Sequence, residues 1–109
     1  MASERIKILG TEEMKNRMND PGPFILIDAR DEEDYKKMHI PGAISMPVYE
    51  VERRCETLDK NDEIIIYCSG FMCDASADAA NIFWKKGFRN LSDYKGGIQD
   101  WIAGNNATE

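Results

Sequence analysis

Glu63-Ile64-Ile65-Ile66-Tyr67-Cys68-Ser69-Gly70-Phe71-Met72-Cys73-Asp74 is the stretch on which the fold turns. Its apolar run has no polar alternation, so neither face of the strand is built to meet water. A strand covered on both faces belongs to a parallel sheet lying between helices. Cys68 stands where that strand ends, and a short loop with a single glycine follows. A helix is expected from near Asp74, with Ala75, Ala79, Ile82 and Phe83 along one face and Lys85-Lys86-Gly87 as its stop.

Upstream, Phe24-Ile25-Leu26-Ile27 is a second continuous apolar run, ending at Asp28-Ala29-Arg30. A short acidic helix over Asp31 to Lys37 follows, then the turn His39-Ile40-Pro41-Gly42. Ala43 to Met46 reads as a strand stopped by Pro47, and Val48, Val51, Cys55 and Leu58 recur at helical spacing. Nearer the start, Ile6 to Leu9 reads as a short strand. Thr11 reads as the N-cap of a helix carrying Glu12, Glu13, Met14 and Met18, ended by Asp20-Pro21-Gly22-Pro23.

Downstream, Phe88 to Leu91 suggests a last strand, and Ile98, Trp101 and Ile102 a terminal helix ended by Gly104. Asn105 to Glu109 are expected to fray. Strands alternate with helices throughout, which predicts an α/β fold with a mainly parallel sheet of about five strands. One domain is expected over residues 1–109, with its core at about 6–103 and a tail at 104–109.

The 109 residues are 42% apolar and 31% charged, the balance of a soluble globular chain. No apolar run reaches membrane-span length, and Met1-Ala2-Ser3-Glu4 is unlike a secretion leader, so a cytoplasmic location is expected. The net charge of −6 argues against a nucleic-acid partner, because phosphate binding depends on Lys and Arg. No basic run marks a membrane surface, and a monomer is expected. Three cysteines, at 55, 68 and 73, form no even disulfide set and read as reduced thiols. With one histidine and no C-x2-C pair, a zinc site is not expected.

Ligands of open α/β sheets bind outside the carboxyl ends of the strands, which is where Cys68 stands. Backbone N–H groups in a tight loop entering a helix favour a thiolate over a thiol. A depressed Cys68 pKa is therefore the expectation. Spacing alone leaves a second reading open: a free cysteine at a strand end is often only a small buried hydrophobe.

Ile27-Asp28-Ala29-Arg30, Tyr35, His39-Ile40-Pro41-Gly42-Ala43-Ile44 and Pro47 resemble the upstream signature of the rhodaneses. Ile66-Tyr67-Cys68 resembles the strand and nucleophile of that sulfurtransferase family. Gly87-Phe88, Asn90-Leu91, Tyr94, Gly96-Gly97 and Trp101 resemble its downstream signature. The resemblance runs from about Phe24 to Trp101 and implies a three-layer α/β/α rhodanese-like fold. It implies Cys68 as the nucleophile that accepts sulfane sulfur as a persulfide, with Ser69, Gly70, Phe71, Met72, Cys73 and Asp74 as the loop around it. It also implies Asp28 and Arg30 as a polar pair supporting that loop, and no cofactor or metal. For Arg30 an ion pair with Asp31, Glu32 or Asp34 is the competing reading. His39 is expected to fix its turn by hydrogen bonding and not to act as a base.

The loop also departs from the family. Where many rhodaneses place an Arg, five residues after the nucleophile, this chain has Cys73, followed by Asp74. The variation resembles a subgroup with a Cys-x4-Cys loop and a following small residue, here Ser76. A doubly charged donor such as thiosulfate is disfavoured by this charge pattern. So is phosphatase chemistry, which in the related architecture needs an Arg at position 74. Cys73 is either a resolving thiol or a small residue packed at the helix start. Phe71 and Met72 either rim a pocket or pack, and Cys55 is read as structural. The function expected is a sulfurtransferase or persulfide carrier, its partners a small sulfur donor or persulfidated protein and a thiol or protein acceptor. A non-catalytic binding module and a Cys68/Cys73 redox sensor are the alternatives.

Overall fold

In the computed structural model, which describes residues 6–109, five parallel strands form one sheet in the order β1-β5-β4-β2-β3. The reading of Met1 to Glu4 lies outside the described residues. The strands are β1 (Lys7–Leu9), β2 (Ile25–Asp28), β3 (Ile44–Ser45), β4 (Ile64–Tyr67) and β5 (Leu91–Tyr94). The helices are α1 (Thr11–Asn19), α2 (Glu32–Lys37), α3 (Val48–Arg54), α4 (Ala75–Lys85) and α5 (Gly97–Ala103), with a 3-10 turn at Cys55–Thr57. Among the described residues no helix is long and apolar enough to cross a membrane.

The central strand explains the architecture. All of β4 is shielded from solvent, with Ile64 and Ile66 facing one layer and Ile65 and Tyr67 the other. Complete burial of one such side chain stabilises by ~2 kcal/mol, so both faces must be covered. Val51, Cys55, Ala79, Ala80 and Phe83, from α3 to α4, cover the first face. Met14 of α1 with Ile98 and Trp101 of α5 cover the second. The result is the expected α/β/α layering with the sheet in the middle.

Three local expectations are corrected. Phe88 precedes the last strand and packs edge-on against Phe83, 5.0 Å between ring centres. The strand itself is Leu91-Ser92-Asp93-Tyr94, whose buried Ser92 and Asp93 hide it from an apolar-run search. Gly10, not Thr11, is the N-cap of α1, and the Thr11 hydroxyl instead bonds Tyr94 and Asp100. The C-terminal tail is tied down. His39 and Glu109 exchange both backbone hydrogen bonds at 3.0 and 2.9 Å, and the Trp101 indole N–H donates to the Ala107 carbonyl at 2.7 Å.

Candidate active site

The carboxyl ends of β2, β4 and β5 meet where Tyr67 passes into Cys68. Behind that point lies a buried polar network. The Tyr67 hydroxyl donates to Asp28 Oδ2 at 2.9 Å and accepts the Ile40 backbone N–H at 3.0 Å. Arg30 donates to both oxygens of Asp28 and, through Nη2, to the Met38 carbonyl at 2.7 Å. Asp28 and Arg30 thus reach the loop indirectly, by fixing the residue before Cys68. Arg30 pairs with Asp28 and not with Asp31, Glu32 or the Asp34 carboxylate; Asp34 offers it only a backbone carbonyl. His39 stacks on Tyr35 at 3.8 Å, with Nδ1 2.8 Å from the Tyr35 carbonyl oxygen, an arrangement that holds the turn.

The loop backbone is clamped from the far side by α5. The first N–H groups of a helix have no partner within it. Here Ile98 N–H donates to the Cys68 carbonyl at 3.0 Å and Gln99 N–H to the Ser69 carbonyl at 2.9 Å. Gly97 makes this approach feasible. Its φ of +62° lies in the left-handed region, and a β-carbon there would collide with the Cys68 carbonyl oxygen and stand 2.9 Å from the Gly70 nitrogen. Gly96-Gly97 is therefore part of the site's frame.

Cys68 itself is 1% exposed. Its Sγ lies 3.4 Å from the Cys73 carbonyl oxygen and 3.4 Å from the Oγ of buried Ser76, in the first turn of α4. Cys73 returns toward Cys68 because its N–H closes a turn on the Gly70 carbonyl at 3.0 Å. The expected depression of the Cys68 pKa is corrected by this arrangement. Burial pushes the Cys68 thiol up, the Cys73 side chain adds to that, and the Ser76 hydroxyl and N–H offset only part. For Cys73 burial acts in the same direction, but the Cys68 thiol, the Ser69 N–H and hydroxyl and the Ala75 N–H bring it below an ordinary thiol.

Phe71 and Met72 project from the loop at 67% and 96% exposed, so they are not packed. Asp74 is the N-cap residue of α4. Cys55 lies elsewhere, in the core beneath α3, and its thiol donates to the Glu52 carbonyl at 3.4 Å. Lys95 follows the last residue of β5, at the same end of the sheet as Cys68. Its Nζ is held 3.2 Å from Asp93 Oδ2, while Asp93 Oδ1 is buried without a partner.

Among the described residues no group of three or more His, Cys, Asp or Glu is arranged to hold a metal ion. The groove of about 590 Å³ beside α1, bordered by Lys7, Glu13, Arg17 and Glu63, contains no cysteine.

A rhodanese-like domain description matches residues 10–104. The chain is 34% identical over 93 residues to YrkF of Bacillus subtilis, whose name proposes a sulfur carrier; the match covers 85% of this chain but only 49% of YrkF. The chain therefore spans about half the length of that relative. It is 36% identical over 76 residues to the thiosulfate sulfurtransferase PspE of Escherichia coli, covering 68% of this chain and 70% of PspE. The crystal structure of the BH2092 protein from Bacillus halodurans superposes with a TM-score of 0.88 at 32% identity, covering 98% of this chain and 78% of that one. With the sheet and these matches in agreement, the chain belongs to the rhodanese-like family.

Proposed function

We propose that this protein transfers sulfane sulfur through a persulfide on Cys68. The observation that carries the reading is the position of Cys68: at the carboxyl end of the central strand, its carbonyl pinned by α5 and its sulfur against Ser76 and Cys73. Sulfurtransferase and sulfur-carrier relatives support sulfur transfer as the class of chemistry. The Cys68 thiolate attacks the outer sulfur of a persulfide R–S–SH. A new S–S bond forms, the old one breaks, and RS⁻ leaves. Cyanide or an acceptor thiolate then attacks the outer sulfur of Cys68–S–SH, and Cys68 is regenerated.

The charge around the loop disfavours a doubly charged donor such as thiosulfate and suits a hydropolysulfide or a protein-borne persulfide. Arg30 is committed to Asp28 and Lys95 to Asp93, and Ser69 to Asp74 contribute no cation. The exposed Phe71 and Met72 offer apolar contact to a protein donor or acceptor. The test supplies inorganic polysulfide and cyanide and follows thiocyanate. Turnover is expected with the parent chain and is lost in Cys68→Ser; equal thiocyanate from both contradicts the reading. If neither releases thiocyanate, a non-catalytic binding module is the better description.

A further inference from the structure

We propose that Cys73 is a resolving thiol, which attacks the persulfide formed on Cys68, releases hydrosulfide and leaves a Cys68–Cys73 disulfide. The proposal rests on the persulfide reading above and extends it to a fate for the sulfur. Its basis is the way the loop folds back. The turn closed by Cys73 N–H on the Gly70 carbonyl brings residue 73 against the nucleophile, and the Cys68 sulfur sits 3.4 Å from the Cys73 carbonyl oxygen. Cys73 is partly exposed, whereas Cys68 is buried.

The donors of the loop point the same way. Burial pushes both thiols up, but for Cys73 the Cys68 thiol and the Ser69 and Ala75 groups outweigh it and bring the thiol below its ordinary value, whereas Cys68 stays raised. The thiolate is the nucleophile in thiol–disulfide exchange, so Cys73 is the better attacking group of the two. The third cysteine cannot substitute: Cys55 lies in the core beneath α3 with its thiol on the Glu52 carbonyl. All three cysteines are free thiols in the structure, so Cys68 and Cys73 are both available to the step.

The step balances as Cys68–S–SH + Cys73–S⁻ → Cys68–S–S–Cys73 + HS⁻. The bond between the two cysteine sulfurs forms, the bond to the outer sulfur breaks, and the electron pair leaves with hydrosulfide. The outer sulfur is reduced and the two cysteines are oxidised. A dithiol reductant, becoming its own disulfide, returns the site to the dithiol state. Such a site converts sulfane sulfur to sulfide at the expense of a dithiol, and in the disulfide state it cannot accept sulfur.

The test treats the parent chain, Cys73→Ser and Cys73→Ala with inorganic polysulfide without oxygen. Excess donor is removed, and sulfide release and the mass of the peptides bearing residues 68 and 73 are followed. The parent is expected to lose sulfide and end two hydrogens lighter, with the disulfide at 68 and 73. Both variants should keep one extra sulfur on Cys68 and release sulfide slower by on the order of a hundredfold, the loss expected when an intramolecular partner is removed. A parent that keeps its extra sulfur as long as the variants do, or variants that release sulfide as fast as the parent, overturns the resolving role and leaves the carrier reading standing. A chain that takes up no sulfur on Cys68 in any of the three forms overturns both.

Discussion

The Sγ of Cys68 lies 3.4 Å from the Oγ of Ser76, and the Ser76 hydroxyl and N–H are the groups that favour the Cys68 thiolate against its burial. Removal of the hydroxyl in Ser76→Ala raises the Cys68 pKa further. A hydrogen bond of this kind is worth about 1 kcal/mol, so modification of Cys68 at neutral pH should slow by roughly fivefold. The loss shrinks as pH rises and the thiolate forms in both proteins. A pH profile of alkylation at Cys68, read by peptide mapping, checks this. A uniform slowing at every pH would assign Ser76 a packing role only.

Gly97 sets the approach of α5 to the loop that begins at Cys68. Gly97→Ala forces a β-carbon against the Cys68 carbonyl from a left-handed backbone position. Overpacking and the left-handed conformation together should destabilise by ~2–4 kcal/mol. Sulfur transfer should fall as the Ile98 and Gln99 clamps are lost. Urea unfolding measures the first effect and thiocyanate release the second. Unchanged stability would mean that the loop moves away at no cost.

Tyr67 gives the fold an alkaline limit. Its phenol is buried beside Asp28, and its pKa is driven well above the ordinary tyrosine value, chiefly by burial and then by Asp28. Ionisation is suppressed in the fold but free in the unfolded chain. The stability it contributes is full below pH ~10 and falls by about 1.4 kcal/mol per unit as pH climbs beyond that. Tyr67→Phe should flatten this part of the decline. At neutral pH it should cost about 1–3 kcal/mol, since Asp28 and the Ile40 N–H lose a buried partner. Unfolding measured in urea across a pH series distinguishes the two effects, and a slope unchanged in the variant would contradict the assignment.

Lys95 lies just past β5, at the carboxyl end of the sheet, and its ammonium is held by Asp93. Asp93→Asn weakens that hold and frees a cation at that end of the sheet. A partly exposed pair is worth up to ~1 kcal/mol, so the rate with thiosulfate relative to polysulfide should rise by up to about fivefold. Competition between the two donors measures the ratio. An unchanged or lower ratio would show that Lys95 does not reach the donor.

The parts legible in the sequence were those governed by local burial. Phe24 to Ile27 and Ile64 to Tyr67 announce two adjacent central strands because nothing polar interrupts them, and Cys68 follows from where the second ends. β5 was placed too early because Ser92 and Asp93 are buried polar residues inside a strand. The tail and Thr11 were misread because their partners, His39 for Glu109 and Tyr94 with Asp100 for Thr11, are distant in the chain. The depressed Cys68 pKa expected from the loop fails for a related reason: the sequence names the loop's N–H donors but not the burial of Cys68, which pushes its thiol up.

The central claim is that Cys68 is the residue that receives sulfur. The most direct measurement is peptide mapping of Cys73→Ser after brief exposure to polysulfide and capture of the product by alkylation, with Cys68→Ser treated in parallel. One additional sulfur on the peptide bearing Cys68, absent when that residue is serine, is the result expected. Additional sulfur on Cys55 alone, or labelling that persists undiminished in Cys68→Ser, would contradict the account.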